Sequence, residues 1–276
     1  MGERLWRAAH TRSLWRGRGE KLALKRLINK SQKILNEEGF FSLLIKVIMT
    51  LVYIIKEFRY RSRIFWIDFN NKIHYGSSAP KYAERIWIYP RNIKMVITSP
   101  VLNGRRDSGE VIKDNWPLEH AIPLSKFPKI KFSIDHWTNN ISWEETGLFD
   151  FMYELIDKIP GADGCYDKKD IICRYEKLDE IFKQIKEEGR LRTMEEIYPN
   201  NFRELGGVLI HVGPYGEPFF GGGGCHRFAI AYILNLPIPA QIGCVHVSAL
   251  PYLDALRCEK ECMNDRSDIN YSHVSS

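Results

Sequence analysis

The spacing of apolar and polar residues divides the chain into a helical first part and a later part that mixes helices and strands. Residues 40–55 form the most apolar run, and Ser42, Lys46 and Thr50 interrupt it at every fourth position, along one side of a predicted helix. The run is shorter than the about 20 residues that cross a bilayer, and basic residues flank it. We expect a helix at a membrane interface; a core helix packed on the body and a true span stay open as alternatives.

Strands are predicted after this helix, because aromatic and β-branched residues are concentrated there. The predicted strands are residues 64–69, 72–75, 85–89 and 95–97. Asn70 and Asn71 join the first two strands, and such a pair is typical of a hairpin turn. Residues 104–116 are polar and charged, which predicts a surface loop.

Helices and strands alternate in the rest of the chain, which predicts an α+β fold. The spacing of apolar residues predicts helices at 148–159, 170–188 and 228–234, and strands at 207–212, 218–220 and 241–247. Gly189 follows the second of these helices and is suited to be its C-cap. The last of the three helices is almost wholly apolar, which predicts that it is buried.

The positive charge of the chain is concentrated at its beginning. The net charge is +6, but residues 1–63 hold fifteen Lys and Arg against five Asp and Glu, which leaves 25 against 29 for the remainder. The predicted partner of this basic arm is an anionic membrane surface on the cytoplasmic side, and nucleic acid is a less favoured partner of the acidic body. Six cysteines without a C-x-x-C pair indicate a reducing compartment and no zinc knuckle, so no metal ligands are predicted.

Four glycines, Gly221 to Gly224, carry the strongest chemical signal in the sequence. They follow an aromatic strand and precede Cys225, His226 and Arg227. Glycines let the backbone approach a ligand closely, a helix start presents free N–H groups, and arginine adds a permanent cation. The pattern therefore predicts a phosphate site. A tight backbone crossing also explains the glycines, and packing also explains a cysteine that opens a buried helix.

The order of helix, hairpin, glycines, helix and strand resembles the ParB/sulfiredoxin-like fold over about residues 176–256. Phe220, the glycines and Cys225-His226-Arg227 resemble the Phe-Gly-Gly-Cys-His-Arg site of sulfiredoxins, lengthened here by two glycines. The resemblance implies a small mixed sheet with flanking helices. The predicted division is a basic amphipathic helical arm at 1–63, an accessory α/β region at 64–165, the ParB/sulfiredoxin-like domain at 166–263 and a frayed tail at 264–276.

The resemblance also implies residues that bind a nucleotide, because the family holds phosphates with its glycines, its histidine, its arginine and a lysine on the preceding helix. The implied phosphate-binding residues are Lys177, Gly222, Gly223, Gly224, His226 and Arg227. Glu180 and Gln184 stand where the family has a serine and a threonine, which departs from the family's nucleotide site. The implied cofactor is ATP or another nucleotide, with Mg²⁺ on the phosphates.

The candidate catalytic residues are Cys225, His226 and Glu217. Cys225 stands at the position of the sulfiredoxin nucleophile, and a helix start beside an arginine is expected to lower its pKa. Glu217 lies on the hairpin and could act as a base, although a turn position explains it as well. His211, on the same hairpin, is expected to be structural rather than a base.

Together these features predict a nucleotide-dependent phosphotransferase or nucleotidase near a membrane surface, with an unknown acceptor. Two alternatives stay open. One is an ATP-dependent thiol repair enzyme of the sulfiredoxin kind that uses Cys225. The other is a non-catalytic regulatory or nucleic-acid-binding module.

Overall fold

The structure is a computed structural model that describes residues 19–98, 101–102 and 104–258, so the predicted tail and the first residues of the predicted arm lie outside the described residues. The α-helices are α1 (Gly19–Tyr75), α2 (Pro128–Asn139), α3 (Leu148–Lys158), α4 (Lys168–Glu188), α5 (Met194–Ile197), α6 (Cys225–Leu234) and α7 (Leu253–Arg257). The strands are β1 (Arg85–Ile88), β2 (Met95–Val96), β3 (Val111–Ile112), β4 (Ile122–Pro123), β5 (Val208–Val212), β6 (Pro218–Phe220) and β7 (Ile238–His246). The chain divides between Trp66 and Ile67 into two units.

Helix α1 extends over 57 residues and contains the predicted helix at 40–55. Its polar side is held together by Glu38, which accepts hydrogen bonds from Ser42 Oγ at 2.6 Å and from Lys46 Nζ at 2.7 Å. Large apolar side chains on other sides of the helix are exposed, for example Phe41 at 79% and Phe58 at 73%. Among the described residues, we find no helix whose length and apolar character suffice to cross a membrane.

The predicted hairpin at residues 64–75 is wrong, because these residues are the last turns of α1. The β-branched and aromatic residues there have strand propensity, but tertiary hydrogen bonds require the helix. Asp68 accepts from the Tyr82 N–H at 2.7 Å, and Asn71 Nδ2 donates to the carbonyl oxygen of Gly109 at 2.6 Å. Positions three apart share one face of a helix, whereas a strand would turn these two side chains to opposite faces.

One mixed sheet, in the order β1-β7-β5-β6-β2-β4, organises the second unit. Strand β7 is parallel to β5 and antiparallel to β1, and β3 pairs with β7 as well. The predicted accessory region at 64–165 therefore does not stand apart, since it contributes β1 to β4 to the same sheet as β5 to β7. The fold is α+β with a mixed open sheet.

Helix α6 is the buried helix of this unit, and it begins three residues earlier than predicted, at Cys225. It packs against the sheet and against α2 and α4. Phe228 stacks on Phe220 of β6, with ring centroids 4.6 Å apart, and both side chains are fully buried. Each such side chain stabilises the fold by about 1.5–3 kcal/mol, which fixes the start of α6 beside the end of β6.

Helix α4 forms much as predicted and faces the same core. Asp167 accepts from the Asp170 N–H as N-cap, and Gly189 ends the helix with φ +66°. Ile171, Tyr175 and Leu178 are its buried residues next to α3 and α6. Tyr175 thereby reaches the first turn of α6.

Candidate functional site

The glycine turn lies along strand β5. The Gly221 N–H donates to the Leu209 carbonyl oxygen at 2.8 Å, and the Leu209 N–H donates to the Gly223 carbonyl oxygen at 3.0 Å. Gly222 and Gly224 have φ values of +77° and +78°, which favour glycine. These hydrogen bonds hold the turn against β5, and α6 begins directly after the turn.

The spaces above the glycines are filled by the protein. A Cβ atom at Gly221 would lie 2.7 Å from His211 Nε2, one at Gly223 would lie 2.8 Å from the Arg105 guanidinium, and one at Gly224 would lie 3.0 Å from the Val208 Cα. The glycines are therefore required by a tight crossing over β5 and the side chains beside it. Their side-chain positions do not form an open phosphate cradle.

The start of α6 is uncapped by any side chain. Gly224 is the N-cap residue and has no side chain to accept from the following N–H groups. The first four N–H groups of a helix have no intrahelical partner and carry a partial positive charge. Cys225, His226 and Arg227 are the residues of this first turn.

Cys225 is a half-buried side chain, held as a thiol rather than as a thiolate. Its Sγ donates to the Gly222 carbonyl oxygen at 3.1 Å. Burial raises the pKa of Cys225 to about 11, although the charges of Lys129 and, more weakly, Arg105 act in the opposite direction. The expected lowering of this pKa is wrong, because loss of water outweighs the helix start and the neighbouring cations.

The imidazole of His226 lies at the start of α6 with one ring nitrogen that has no hydrogen-bond partner among the described residues. This nitrogen is the buried Nε2 atom. Its ring meets Tyr175 edge to face, with centroids 5.4 Å apart. Burial, and then the positive charge of Arg174, hold the pKa of His226 well below its usual range, so the imidazole is neutral at pH 7.

A group of charged residues that the sequence reasoning missed surrounds His226. Lys129 Nζ in the first turn of α2 lies 2.5 Å from Asp163 Oδ2, in the 3₁₀ turn Ala162–Gly164. Arg174 of α4 exerts its charge on both Asp163 and His226. The Nε of Arg174 and the hydroxyl of Tyr175 are buried without a hydrogen-bond partner in the described structure. We call Lys129, Asp163, Arg174, Tyr175 and His226 the α6-start cluster.

Arg227, predicted to bind phosphate beside His226, points elsewhere. One of its NH2 groups donates to the Arg192 carbonyl oxygen at 2.5 Å. The charges that act on it are those of Glu204, Tyr198 and Glu196. Successive residues of a helix point about 100° apart, so Arg227 cannot share the direction of His226.

Lys177 and Glu217 are not among the residues of the α6-start cluster. Lys177 is exposed on α4, three positions after Arg174. Glu217 lies in the hairpin turn, where its Oε2 accepts from the Tyr215 N–H at 2.7 Å and burial raises its pKa. Strand β6 separates Glu217 from Gly221, a span of four residue steps or about 13 Å at 3.3 Å per residue. Glu217 thus stabilises the turn, apart from Cys225.

Two further side chains, the half-buried Arg105 and the buried His211, lie against the glycine turn. Arg105 donates to Gln241 Oε1 and, at 2.5 Å, to the Gly207 carbonyl oxygen, within residues predicted to be a surface loop. His211 Nδ1 accepts from the Cys244 N–H at 2.9 Å, which joins β5 to β7. Burial lowers the pKa of His211 to about 4. His211 has a structural position, as expected.

A separate cavity of about 460 Å³ is lined by residues outside the α6-start cluster. Arg85, Trp87, Arg190 and Glu196 are among its lining residues. Arg85 Nε lies 2.8 Å from Glu204, and Arg190 lies 2.8 Å from Glu196, so both guanidinium groups already have carboxylate partners. Among the described residues, no three His, Cys, Asp or Glu side chains are grouped to hold a metal ion.

Comparison of the chain with models of known families, with curated proteins and with solved structures finds no match. The resemblance to the ParB/sulfiredoxin-like fold stays a hypothesis, based on the residues of the chain itself.

Proposed function

We propose that this chain binds the phosphate groups of a nucleotide at the start of α6. Lys129, Arg174 and His226 are the side chains that would contact the phosphate, together with the first N–H groups of the helix. This assignment replaces Lys177 and Arg227 of the sequence hypothesis and retains His226. The glycines serve it indirectly, by bringing the chain across β5 to the place where α6 begins.

The observation that carries the proposal is the set of buried polar atoms without partners around the helix start. His226 Nε2, Arg174 Nε and the Tyr175 hydroxyl all lack hydrogen bonds among the described residues. Buried polar groups are almost always hydrogen-bonded, and leaving one unpaired costs about 1–3 kcal/mol. Phosphate oxygens accept from guanidinium, ammonium, imidazole, hydroxyl and N–H donors alike, so one phosphate group would satisfy several of these atoms.

A ParB/sulfiredoxin-like arrangement is part of the same proposal. Its support is the succession of α4, the β5–β6 hairpin, the glycine turn, α6 and β7, with β5 and β7 side by side and parallel. In this arrangement α4 and the start of α6 face one another, since Tyr175 contacts His226. A nucleotide phosphate between these two helices is what the resemblance implies.

The reaction that we propose is phosphate transfer from a nucleotide to an acceptor or to water, with Mg²⁺ on the phosphates. Positioning and charge stabilisation supply most of the catalysis in such reactions, and cations beside a helix start provide both. The alternative of thiol repair needs a reactive thiolate at Cys225. The burial of that thiol, and its pKa of about 11, favour phosphate transfer over repair.

Calorimetric titration of the full chain with ATP, ADP, CTP and GTP, each with Mg²⁺, tests the proposal. We expect at least one nucleotide to bind, and we expect Arg174→Gln to weaken that binding tenfold or more, because a charge-assisted hydrogen bond is worth about 1.5–3 kcal/mol. Lys183→Gln is the matched control, because this exposed lysine lies nine positions after Arg174, on the opposite side of the same helix. It should change the affinity less than twofold. Absence of heat with all four nucleotides, or equal losses in the two variants, would refute the proposal.

We further propose that the chain acts at the cytoplasmic face of a membrane, as a peripheral protein. The support is the exposed apolar side of α1, which runs from Phe40 to Phe58, and the exposed arginines Arg59, Arg61 and Arg63 that follow it. Apolar side chains beside cationic ones fit the boundary between acyl chains and anionic headgroups. Substitutions in α1 alone test this proposal about the membrane.

A further inference from the structure

The contact between Lys129 and Asp163 places a carboxylate where the proposed phosphate would bind. Lys129 Nζ lies 2.5 Å from Asp163 Oδ2, and the two side chains are 15% and 29% exposed. The charge of Asp163 also acts on Arg174 and on His226. Asp163 is therefore the anion that balances the cations of the α6-start cluster.

The backbone holds Asp163 in this position at some conformational cost. Asp163 has φ +53°, and its neighbours Gly161 and Gly164 have φ +82° and +80°. A side chain other than glycine is uncommon in the left-handed region, although Asp and Asn adopt it more readily than others. The turn thus presents a carboxylate to Lys129 from a segment whose glycines allow the chain to bend back upon itself.

We propose that Asp163 limits the affinity of this site, by competing with the ligand's phosphate for Lys129. The inference rests on the proposed function, and it adds a built-in competitor to that same site. With Asp163 in place, the cations Lys129 and Arg174 are half neutralised, and His226 adds no charge while it is neutral. A phosphate group that binds Lys129 must first displace a carboxylate that is already bonded. Removing the carboxylate therefore strengthens the attraction for every phosphate ligand, and for the more highly charged ligands at least as much as for the others.

Replacing Asp163 by Asn tests this competition directly. Asn has nearly the same shape, tolerates the left-handed backbone, and does not bring a negative charge to Lys129. We expect Asp163→Asn to bind inorganic phosphate and AMP about tenfold more tightly than the wild type in calorimetry of the full chain. The affinity for ATP should rise at least as much, because the repulsion that the lost carboxylate exerted grows with the charge of the ligand.

Asp135→Asn is the matched control, because Asp135 Oδ2 contacts Lys131 Nζ at 2.6 Å on the same helix as Lys129. It removes a carboxylate from an exposed lysine and should leave all these affinities unchanged. Asp163→Gly is a second variant, since glycine suits φ +53° fully, and it should tighten phosphate binding in the same way.

The outcomes separate this inference from the proposed function. If the wild type binds ATP and neither Asp163 variant binds phosphate or AMP more tightly, the competition is refuted and the nucleotide site stands. If the control tightens binding as much as Asp163→Asn does, a general charge effect explains the result and the inference is overturned. If neither the wild type nor the variants bind any nucleotide, the proposed function itself is lost.

Discussion

Cys225 shows how burial decides the chemistry of a single residue. Its pKa of about 11 leaves about one thiol in a thousand ionised at pH 8, and the thiol is tied to the Gly222 carbonyl oxygen. We predict that iodoacetamide at pH 8 modifies Cys225 at least tenfold more slowly than the exposed Cys173 of the same chain. Mass spectrometry of the digested protein at several times gives both rates from one sample.

The comparison with Cys173 controls for reagent and for chain concentration. A denatured sample, in which both cysteines are accessible, should remove the difference. Rapid modification of Cys225 in the folded protein would contradict the structure here and would restore the thiol repair enzyme as the better hypothesis.

The candidate site residues that could be predicted from the sequence are those marked by residues adjacent to them in the chain. His226 was found because it follows the glycines and opens a helix. Lys129, Asp163 and Arg174 were missed because they come from three separate elements, and nothing in their local patterns marks them. The sequence hypothesis groups Arg227 with His226, whereas in the structure Arg227 donates to the Arg192 carbonyl oxygen, because adjacent helical residues point in different directions.

The glycine turn crosses β5 closely at Gly224, so replacing this residue tests whether the turn needs a glycine there. We predict that Gly224→Ala lowers the free energy of unfolding by about 2–4 kcal/mol, since a Cβ would meet the Val208 backbone at 3.0 Å and φ is +78°. Urea denaturation followed by circular dichroism measures the change.

Gly189→Ala is the control that separates conformation from crowding. Gly189 also has a positive φ, +66°, but a Cβ there would meet nothing within 4 Å. We expect this variant to lose about 1 kcal/mol, which is the cost of the left-handed backbone alone. Equal losses of unfolding free energy in the two variants would mean that the turn and β5 are not in close contact at Gly224.

Helix α1 shows where local patterns succeed and where they fail at the scale of elements. The four-residue spacing of polar positions predicted the helix at 40–55 correctly, because one face of this helix is polar. The strand prediction at 64–75 failed, because Asp68 and Asn71 bond to distant loops and their partners are invisible in the local sequence. The spacing of Asp68 and Asn71 is a weak indication of a helix. The β-branched residues around them are a stronger indication of a strand, and it is misleading.

The apolar side of α1 can be tested with three substitutions along one line of the helix. Phe41, Ile48 and Ile55 are seven positions apart and exposed. We predict that changing all three to Ser lowers binding to vesicles of phosphatidylcholine and phosphatidylserine at least tenfold, because each buried apolar side chain contributes about 1.5–3 kcal/mol. Vesicle flotation measures the bound fraction.

A triple change of exposed isoleucines in the second unit, Ile159, Ile181 and Ile197 to Ser, is the matched control and should bind vesicles as the wild type does. Vesicles without phosphatidylserine should bind the wild type more weakly, because their surface has no negative charge to attract the arginines after the apolar run. The proposal is contradicted if the wild type does not bind vesicles. If the wild type also forms an oligomer that the α1 variant disrupts, a second copy of the chain covers this face.

At the scale of the whole molecule, the sheet joins what the sequence analysis had divided. Strand propensity located β1 and β2 but gave no information on their partners, so residues 64–165 were assigned to an accessory region. Pairing of β1 with β7 and of β2 with β6 depends on contacts across more than a hundred positions. The α+β class could be predicted from alternating helices and strands, whereas the strand order could not.

The buried histidines make the stability of the whole fold depend on pH. His211 has an ordinary pKa of 6.5 and a folded pKa of about 4, and the pKa of His226 is also lowered. Between these values the unfolded chain binds protons that the folded protein does not, so acidification favours unfolding. We predict that the free energy of unfolding falls by about 2 kcal/mol between pH 7 and pH 5 on account of His211 alone. Urea denaturation at the two pH values measures this fall.

His211→Asn isolates that contribution, because Asn can accept the Cys244 N–H in place of Nδ1 and does not titrate. This variant is expected to be less stable at pH 7, since it packs less well, but to lose about 2 kcal/mol less than the wild type on acidification to pH 5. His120→Asn removes an exposed histidine and should leave the pH dependence as it is. A carboxylate with a lowered pKa, such as Glu196 at about 2, affects stability below pH 4.5. Burial raises the pKa of Glu204 and of Glu217, but their contributions are common to the wild type and the variant and cancel in the comparison. An unchanged difference between pH 7 and pH 5 in His211→Asn would show that His211 is not the buried neutral group that joins β5 to β7.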